Sequence, residues 1–198
     1  MGLNLDYTEG QSILTEEERE GLKIKTISTH QELDEFEQRN IEEAVKWLFN
    51  KNISLDTFLS EKFIKDVHLK MLGSVWSWAG TFRRSNKNIG RVDWTLVVTE
   101  IRKLFDDFHY WLKHQTFSEE EMAIRFSHRL VWIHPFPNGN GRHSRLMADV
   151  IMEHVFGKSP FSWGGKSIKS DQENRDEYLA ALREADNGSF DRLIKFAR

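Results

Sequence analysis

The 198-residue chain is 39% apolar and 30% charged with a net charge of −3, the balance of a soluble domain large enough to bury its own core. It has no cysteine, which excludes disulfides, thiolate metal sites and a cysteine nucleophile. No apolar run is long enough for a bilayer and the first residues lack a signal peptide's pattern, so a cytoplasmic protein with no membrane partner is expected.

Charge is uneven along the chain. Residues 1–43 hold twelve acids against four Lys/Arg, and the remainder is net +5. An acidic arm on a mildly basic body argues against a direct nucleic-acid partner and leaves room for a local anion site that the arm could cover. The alternative is a solvated acidic helix.

Periodicity reads mostly as helix. After Ser28 and Thr29, apolar residues at Leu33, Phe36, Ile41, Ala44, Val45 and Leu48 predict a helix over 30–50. A second stretch follows Ser54 through Leu55, Leu59, Phe63, Val67 and Met71. Residues 80–94 break the helical pattern, with turn residues between strand-compatible pieces, and read as a small β-hairpin with a polar, cationic tip near Ser85–Asn88. Thr95 then opens a third helix, and Ser118 with Glu121 predicts a capping box before the fourth. A fifth should run from near Gly141 to about Phe156, Ser170 with Glu173 should cap a sixth, and Ser189 should start a short last one. The expected class is all-α, a helical bundle with one hairpin. The seven tryptophans fall mostly on apolar faces and read as core.

The informative segment is His134-Pro-Phe-Pro-Asn-Gly-Asn-Gly-Arg-His-Ser-Arg145. Pro135 should end the fourth helix by His134. Gly139 and Gly141 permit unusual backbone angles and close approach to a ligand. The chain then re-enters a helix, whose free N–H groups and positive dipole end form an anion site, most naturally for phosphate. Arg142 and Arg145, three apart, can face the same anion, and arginine's planar fork suits phosphate oxygens. His134, at the mouth of this cradle, is the candidate general base for a hydroxyl nucleophile. The other histidines are not spaced to share a helical face, so a histidine metal cluster is not supported, and His143 reads as an exposed bystander.

This segment resembles the signature of the Fic (filamentation induced by cAMP) family, HxFx[D/E]GNGRxxR. Seven of its eight defined positions are present: His134, Phe136, Gly139, Asn140, Gly141, Arg142 and Arg145. WAGTFRRSNKNIG at 78–90 is similar to the family's flap hairpin and its approach, and the whole-chain pattern, with the EFEQRNI helix, is especially similar to the subgroup called mobile mystery protein B. The resemblance implies a Fic-type helical bundle, with residues 1–29 as an acidic arm, 30–198 as one Fic domain, a flap at 80–94 and the motif loop at 134–145.

It also implies transfer of AMP from ATP to a Ser, Thr or Tyr hydroxyl of a target protein. By that analogy His134 is the general base and Phe136 anchors the loop. Gly139, Asn140 and Gly141 bind the nucleotide phosphates, Arg142 orients their β/γ end, and Arg145 lies near the γ-phosphate. The flap residues Arg83, Asn86, Asn88, Ile89 and Gly90 would hold the target segment by strand addition. The family's usual acid, ligand of the Mg²⁺ cofactor, is replaced by Asn138, a neutral oxygen donor with lower expected affinity. Many relatives carry an inhibitory helix, [S/T]xxxE[G/N], whose Glu pairs with the second motif arginine. No stretch fits cleanly, which leaves Glu32, Glu35 and Glu37 as candidates and Arg145 as the expected partner. A small antitoxin-like partner is an alternative brake. Two other readings stand beside AMP transfer: a transferase for another nucleotide or phosphate-bearing donor, and a catalytically weak domain that binds nucleotide or protein as a regulator.

Overall fold

A computed structural model describes residues 12–165 and 170–198. Its helices are set by side-chain caps that the sequence announces. Thr15 caps α1 (Glu16–Glu20) and Thr29 caps α2 (His30–Phe49), each closing a reciprocal box with the Glu at the third helical position. The stretch read as one helix after Ser54 divides into α3 (Leu55–Phe58) and α4 (Glu61–Leu72), because Ser60 accepts from Phe63 N and starts a new helix. A 3₁₀ turn at Trp94–Leu96, capped by Asp93, leads into α5 (Val97–His114). Ser118 caps α6 (Glu119–Ile133), although the Glu121 carboxylate turns to Arg125.

After the motif loop, α7 (Asn140–Val150) runs on into a π-helical turn, Ile151–Val155. Ser170 and Glu173 box the start of α8 (Asp171–Asp186), and α9 (Asp191–Ala197) packs against it. The class is all-α. Leu48, Ile64, Met71, Leu104, Phe108, Phe126, Phe136 and Met147 form a fully buried centre, with α6 and α7 side by side across it. Ile124, Tyr178, Ala181 and Leu193 make a smaller cluster under α8 and α9.

Residues 12–29, the described part of the acidic arm, lie on the body. Leu14, Leu22 and Ile27 enter the main core. Backbone bonds from Lys23 N to Val75 O (2.8 Å) and Ser77 N to Gly21 O (2.8 Å) flank a single bridge between Leu22 and Trp76. The strand pairing expected across 80–94 does not form. Instead the segment wraps around the side chain of Arg83, which is 2% exposed. Its Nε donates to His134 O (2.7 Å), and its terminal nitrogens donate to Ser85 O (2.8 Å) and Val92 O (2.5 Å). A loop without a ladder must satisfy its carbonyls otherwise, and one guanidinium with five donors does that work here. Arg83→Ala should therefore destabilise the fold by at least about 3 kcal/mol, since it strands several buried carbonyls at once; urea denaturation midpoints would check it. No described helix is long and apolar enough to cross a membrane.

Candidate active site

Helix α6 stops at His134 because Pro135 follows it. His134 takes left-handed angles (φ 56°) while its N–H still bonds Leu130 O. That conformation costs about 1 kcal/mol for a non-glycine residue, and Arg83 pins it through the His134 carbonyl. The imidazole is 4% exposed. Its Nδ1 lies 3.1 Å from Val131 O; a carbonyl only accepts, so Nδ1 carries the proton and Nε2 presents its lone pair. Ser12 Oγ sits 2.7 Å from that Nε2 and donates to it. Burial holds the imidazole at about 4, well below its ordinary value, so it is a free base at neutral pH.

The loop beyond is tied by its own residues. Phe136 is fully buried, stacked on His68 (3.7 Å between centroids, 12°) and edge-on to His143 (5.1 Å). Asn140 Oδ1 accepts from Phe136 N (2.9 Å) and its Nδ2 donates to Phe136 O (2.8 Å). The side chain of Asn140 is thus spent on closing the loop, and what it offers a ligand is backbone. Gly139, at φ +77°, lies where a Cβ would come 2.7 Å from Leu72 Cδ1 and 3.4 Å from His68 Nε2, so only glycine fits. No side chain caps α7, which leaves the N–H groups of its first turn for whatever occupies the cavity in front of them.

That cavity has a volume of about 460 Å³. One wall is His134, Asn138–Arg142 and Arg145, another is Glu37 and Trp76, and the far end is Trp163, Arg175, Tyr178 and Phe196. Burial, reinforced by the nearby charges of Arg145 and Arg142, lowers the Arg175 guanidinium from its ordinary value. A concentration of like cations around one space favours a polyanion. The Tyr178 hydroxyl is buried with no hydrogen-bond partner among the described residues, as a wall awaiting a polar ligand would be. The aromatic end is held by Asp149, which accepts from Trp163 Nε1 (3.0 Å) and Phe161 N (3.0 Å).

The three acids proposed as a brake separate cleanly. Glu32 is consumed by the cap, accepting from Ser28 N and Thr29 N. Glu35 is exposed and accepts from Gln31. Glu37 is 4% exposed and reaches the cavity, where it accepts from Trp76 Nε1 (2.5 Å) and pairs with Arg142 (2.6 Å). The partner is therefore the first motif arginine and not Arg145, whose guanidinium lies 4.7 Å over the Tyr178 ring. Arg142 in the first turn of α7 faces α2, while Arg145 faces α8.

The flap residues also divide. Arg83 is a buried staple and cannot dock a target. Asn86 closes the loop, accepting from Trp94 N (2.9 Å) and donating to Asp93 (3.0 Å). Asn88 is exposed and accepts from Ile13 N (3.0 Å). Ile89 and Gly90 are half-buried, and Gly90 packs against Arg83 and His134.

Two further histidines are buried beside the loop, and for His143 this corrects the sequence reading. His143 is fully buried, donating from Nε2 to Ile64 O (3.0 Å), because the core face of α7 begins in its first turn. His68, which no motif marks, accepts from Gly80 N (3.0 Å) and donates to Asn138 O (3.0 Å), a strut between the flap's start and the motif loop. Trp163, Arg175, Tyr178 and Phe196 were likewise invisible as site residues; only the apolar phase of α8 hinted that Tyr178 points inward.

These burials set a pH dependence. His68, His134 and His143 are all lowered by desolvation, the last two to about 4. The unfolded chain then binds the extra protons first, so stability is complete above the ordinary value of 6.5 and is lost as pH falls toward 4. Fully buried His143 alone amounts to roughly 3 kcal/mol across that window. Asp149, raised by burial to about 7, acts in the opposite sense, but one group against three leaves the histidines dominant. Chemical denaturation midpoints should fall steadily from pH 7 to pH 5, and His143→Asn should flatten that slope.

The side chains of the loop do not build a Mg²⁺ site of their own. Asn138 Oδ1 already accepts from Gly139 N (2.6 Å), Glu37 is held by Arg142 and Trp76, and no group of three or more His, Asp or Glu among the described residues could hold a metal.

Residues 58–152 match the model of the Fic/DOC family. The chain is 26% identical, over 98% of its length, to "Protein adenylyltransferase Fic" of Aedes aegypti, and 25% identical to the Drosophila melanogaster protein of the same name. It spans 37% of the length of each of these curated relatives. Among solved structures it is similar to Fic-1 (residues 134–508) of C. elegans, with TM-score 0.64 and 25% identity over 80% of this chain and 46% of that one. The BepC protein of Bartonella tribocorum with bound AMPPNP shares the fold (TM-score 0.69, 14% identity, 92% of this chain and 96% of that one).

Proposed function

The chain contains a Fic domain, and from that premise we propose that it is a protein adenylyltransferase, moving AMP from ATP to a hydroxyl side chain of a target protein. The observation that carries this reading is the pairing of a free-base imidazole with a polyanion cradle in one cavity: His134, its Nε2 covered by Ser12, lines the same space as the uncapped first turn of α7 and Arg142, Arg145 and Arg175.

In this reading the triphosphate lies over the Gly139–Arg142 amides, with the arginines neutralising its charge. The base lies toward Trp163, Tyr178 and Phe196, where ring faces are available and the unpaired Tyr178 hydroxyl can reach a polar edge. His134 takes the proton from the target's hydroxyl as the oxygen attacks the α-phosphorus, and pyrophosphate leaves. Positioning and charge stabilisation account for most of such a reaction. His134 needs no neighbouring carboxylate to orient it, because Val131 O and the left-handed cap already do so. The target segment passes over 85–90, in contact with Asn88 and near Gly90. Glu37 is the built-in brake: its salt bridge occupies the fork of Arg142 that the phosphates require.

A second reading, a nucleotide-binding regulator without transfer, draws on Asn138 and on the lack of a protein-built metal site. One assay separates the two. Protein incubated with α-phosphate-labelled Mg-ATP and a cell lysate should label protein bands, and the label should disappear with His134→Asn. ATP binding without any label from the Glu37→Gln form would overturn the transferase reading in favour of the regulator.

A further inference from the structure

The aromatic end of the cavity is fixed by a carboxylate that stands outside the motif. Asp149 lies on α7 one turn beyond Arg145. Both of its oxygens accept from Trp163 Nε1 (3.0 and 3.1 Å), and Oδ1 also accepts from Phe161 N (3.0 Å). Trp163 is left-handed (φ 49°), a conformation that a bulky residue keeps only where its surroundings impose it. Its N–H is tied to Ala197 O (3.1 Å). Gly164 follows at φ +76°, where a Cβ would come 2.9 Å from the Phe196 ring. Trp163, Tyr178 and Phe196 all line the cavity. Trp163 stands edge-on to Tyr178 (6.5 Å, 84°), and Tyr178 lies beside Phe196 (5.6 Å). The Tyr178 hydroxyl among these rings is buried without a partner among the described residues. Apolar contacts would suffice for a wall that is only packed. Here a carboxylate is committed to orienting one indole, backbone strain is retained, and one polar atom is left unmatched, which are features of a ligand site.

Resting on the adenylyltransferase reading for the direction in which the donor lies, we propose that Asp149 is a positioning residue for a purine nucleotide donor: it sets the Trp163 indole as the platform for the base, and this end of the cavity selects the donor. The cradle of α7 amides and arginines meets the part that all nucleoside triphosphates share, so it cannot choose among them. The choice falls to the far end. Stacking gains grow with ring area, so a two-ring base profits more than a one-ring base from three aromatic side chains. The Tyr178 hydroxyl can donate or accept, so it serves the polar edge of either purine and does not separate adenine from guanine. Asp149 acts through Trp163. Without its two bonds to Nε1 the indole loses its register with Tyr178, and the platform goes while the cradle stays.

The test titrates the full chain carrying Glu37→Gln, which frees Arg142, by calorimetry with the Mg²⁺ complexes of ATP, GTP, CTP, UTP and tripolyphosphate. The last is a ligand for the cradle with no base. ATP and GTP should bind about tenfold or more tighter than CTP and UTP. Adding Asp149→Ala or Trp163→Ala should weaken ATP and GTP about five- to a hundredfold, to the pyrimidine level. Tripolyphosphate should bind as before. Asp149→Asn keeps an acceptor for Trp163 Nε1 and should hold ATP within about threefold of the parent. In lysate labelling with ATP varied, the Asp149→Ala loss should fall on KM and not on kcat. Equal weakening of ATP and tripolyphosphate would make Asp149 merely structural and overturn the proposal. Unchanged ATP affinity in both alanine variants would also overturn it, and equal affinity of the parent for all four nucleotides would overturn the purine assignment. The expected binding pattern without any transfer to lysate would overturn the adenylyltransferase reading and leave the base platform supported.

Discussion

Replacing His134 by asparagine is expected to lower nucleotidyl transfer by about 10²–10⁴-fold, the range a positioned general base contributes. Asparagine is the informative substitution because it tolerates the left-handed backbone that His134 adopts, and the bond from Arg83 goes to the carbonyl, which any residue retains. Nucleotide binding should survive, since the α7 amides and the arginines are untouched, so the loss should appear in kcat and not in KM. A variant with unchanged kcat would remove His134 from the chemistry. The pH profile offers a further check. With the base held at about 4 by burial under Ser12 and the loop, activity should be flat through neutrality and fall only at strongly acid pH. Ser12→Gly, which lets water reach the ring, should move that acid limb upward toward 6.5.

The second large effect is the one expected if the Glu37–Arg142 pair is the proposed brake. Glu37→Gln removes the charge that holds Arg142 but keeps an amide oxygen for Trp76 Nε1. A charge-assisted hydrogen bond is worth about 1.5–3 kcal/mol, so kcat/KM for ATP should rise about ten- to a hundredfold. Glu35→Gln, on the solvent face, should leave the rate where it was, and Glu32→Gln should cost only cap stability. The comparison is one of steady-state transfer with ATP varied. Equal rates for all three Gln variants and the parent would show that the Glu37–Arg142 pair is structural.

The choice among the three acids was partly written in the helix. Leu33, Glu37, Ala44 and Leu48 are all buried, and their spacing of four, seven and four places Glu37 on the apolar stripe of α2. Glu32 stands third from the cap and Glu35 lies off the stripe. That phase says Glu37 is buried, but its partner depends on which turn of α7 packs opposite, so Arg142 could not be told from Arg145. The hairpin failed for a related reason. Turn residues between strand-like pieces suit a ladder, but they also suit a loop whose carbonyls are gathered by one buried guanidinium, and nothing local distinguishes an arginine that folds inward from one that stays in water.

What the sequence by itself determined is what local chemistry controls: helix starts at Thr29, Ser54, Ser118 and Ser170, the break at Pro135, and the His134–Arg145 loop, whose residues act within a few positions of one another. Tertiary structure alone decided everything that depends on distant segments meeting. It placed the Ser12 hydroxyl on His134, Glu37 on Arg142, His68 between Gly80 and Asn138, and the aromatic end of the cavity beside the cradle. Capping and chain reversal are settled by neighbours in sequence, whereas which buried polar group meets which is settled by packing, where each must find a partner or bear the cost of lost water.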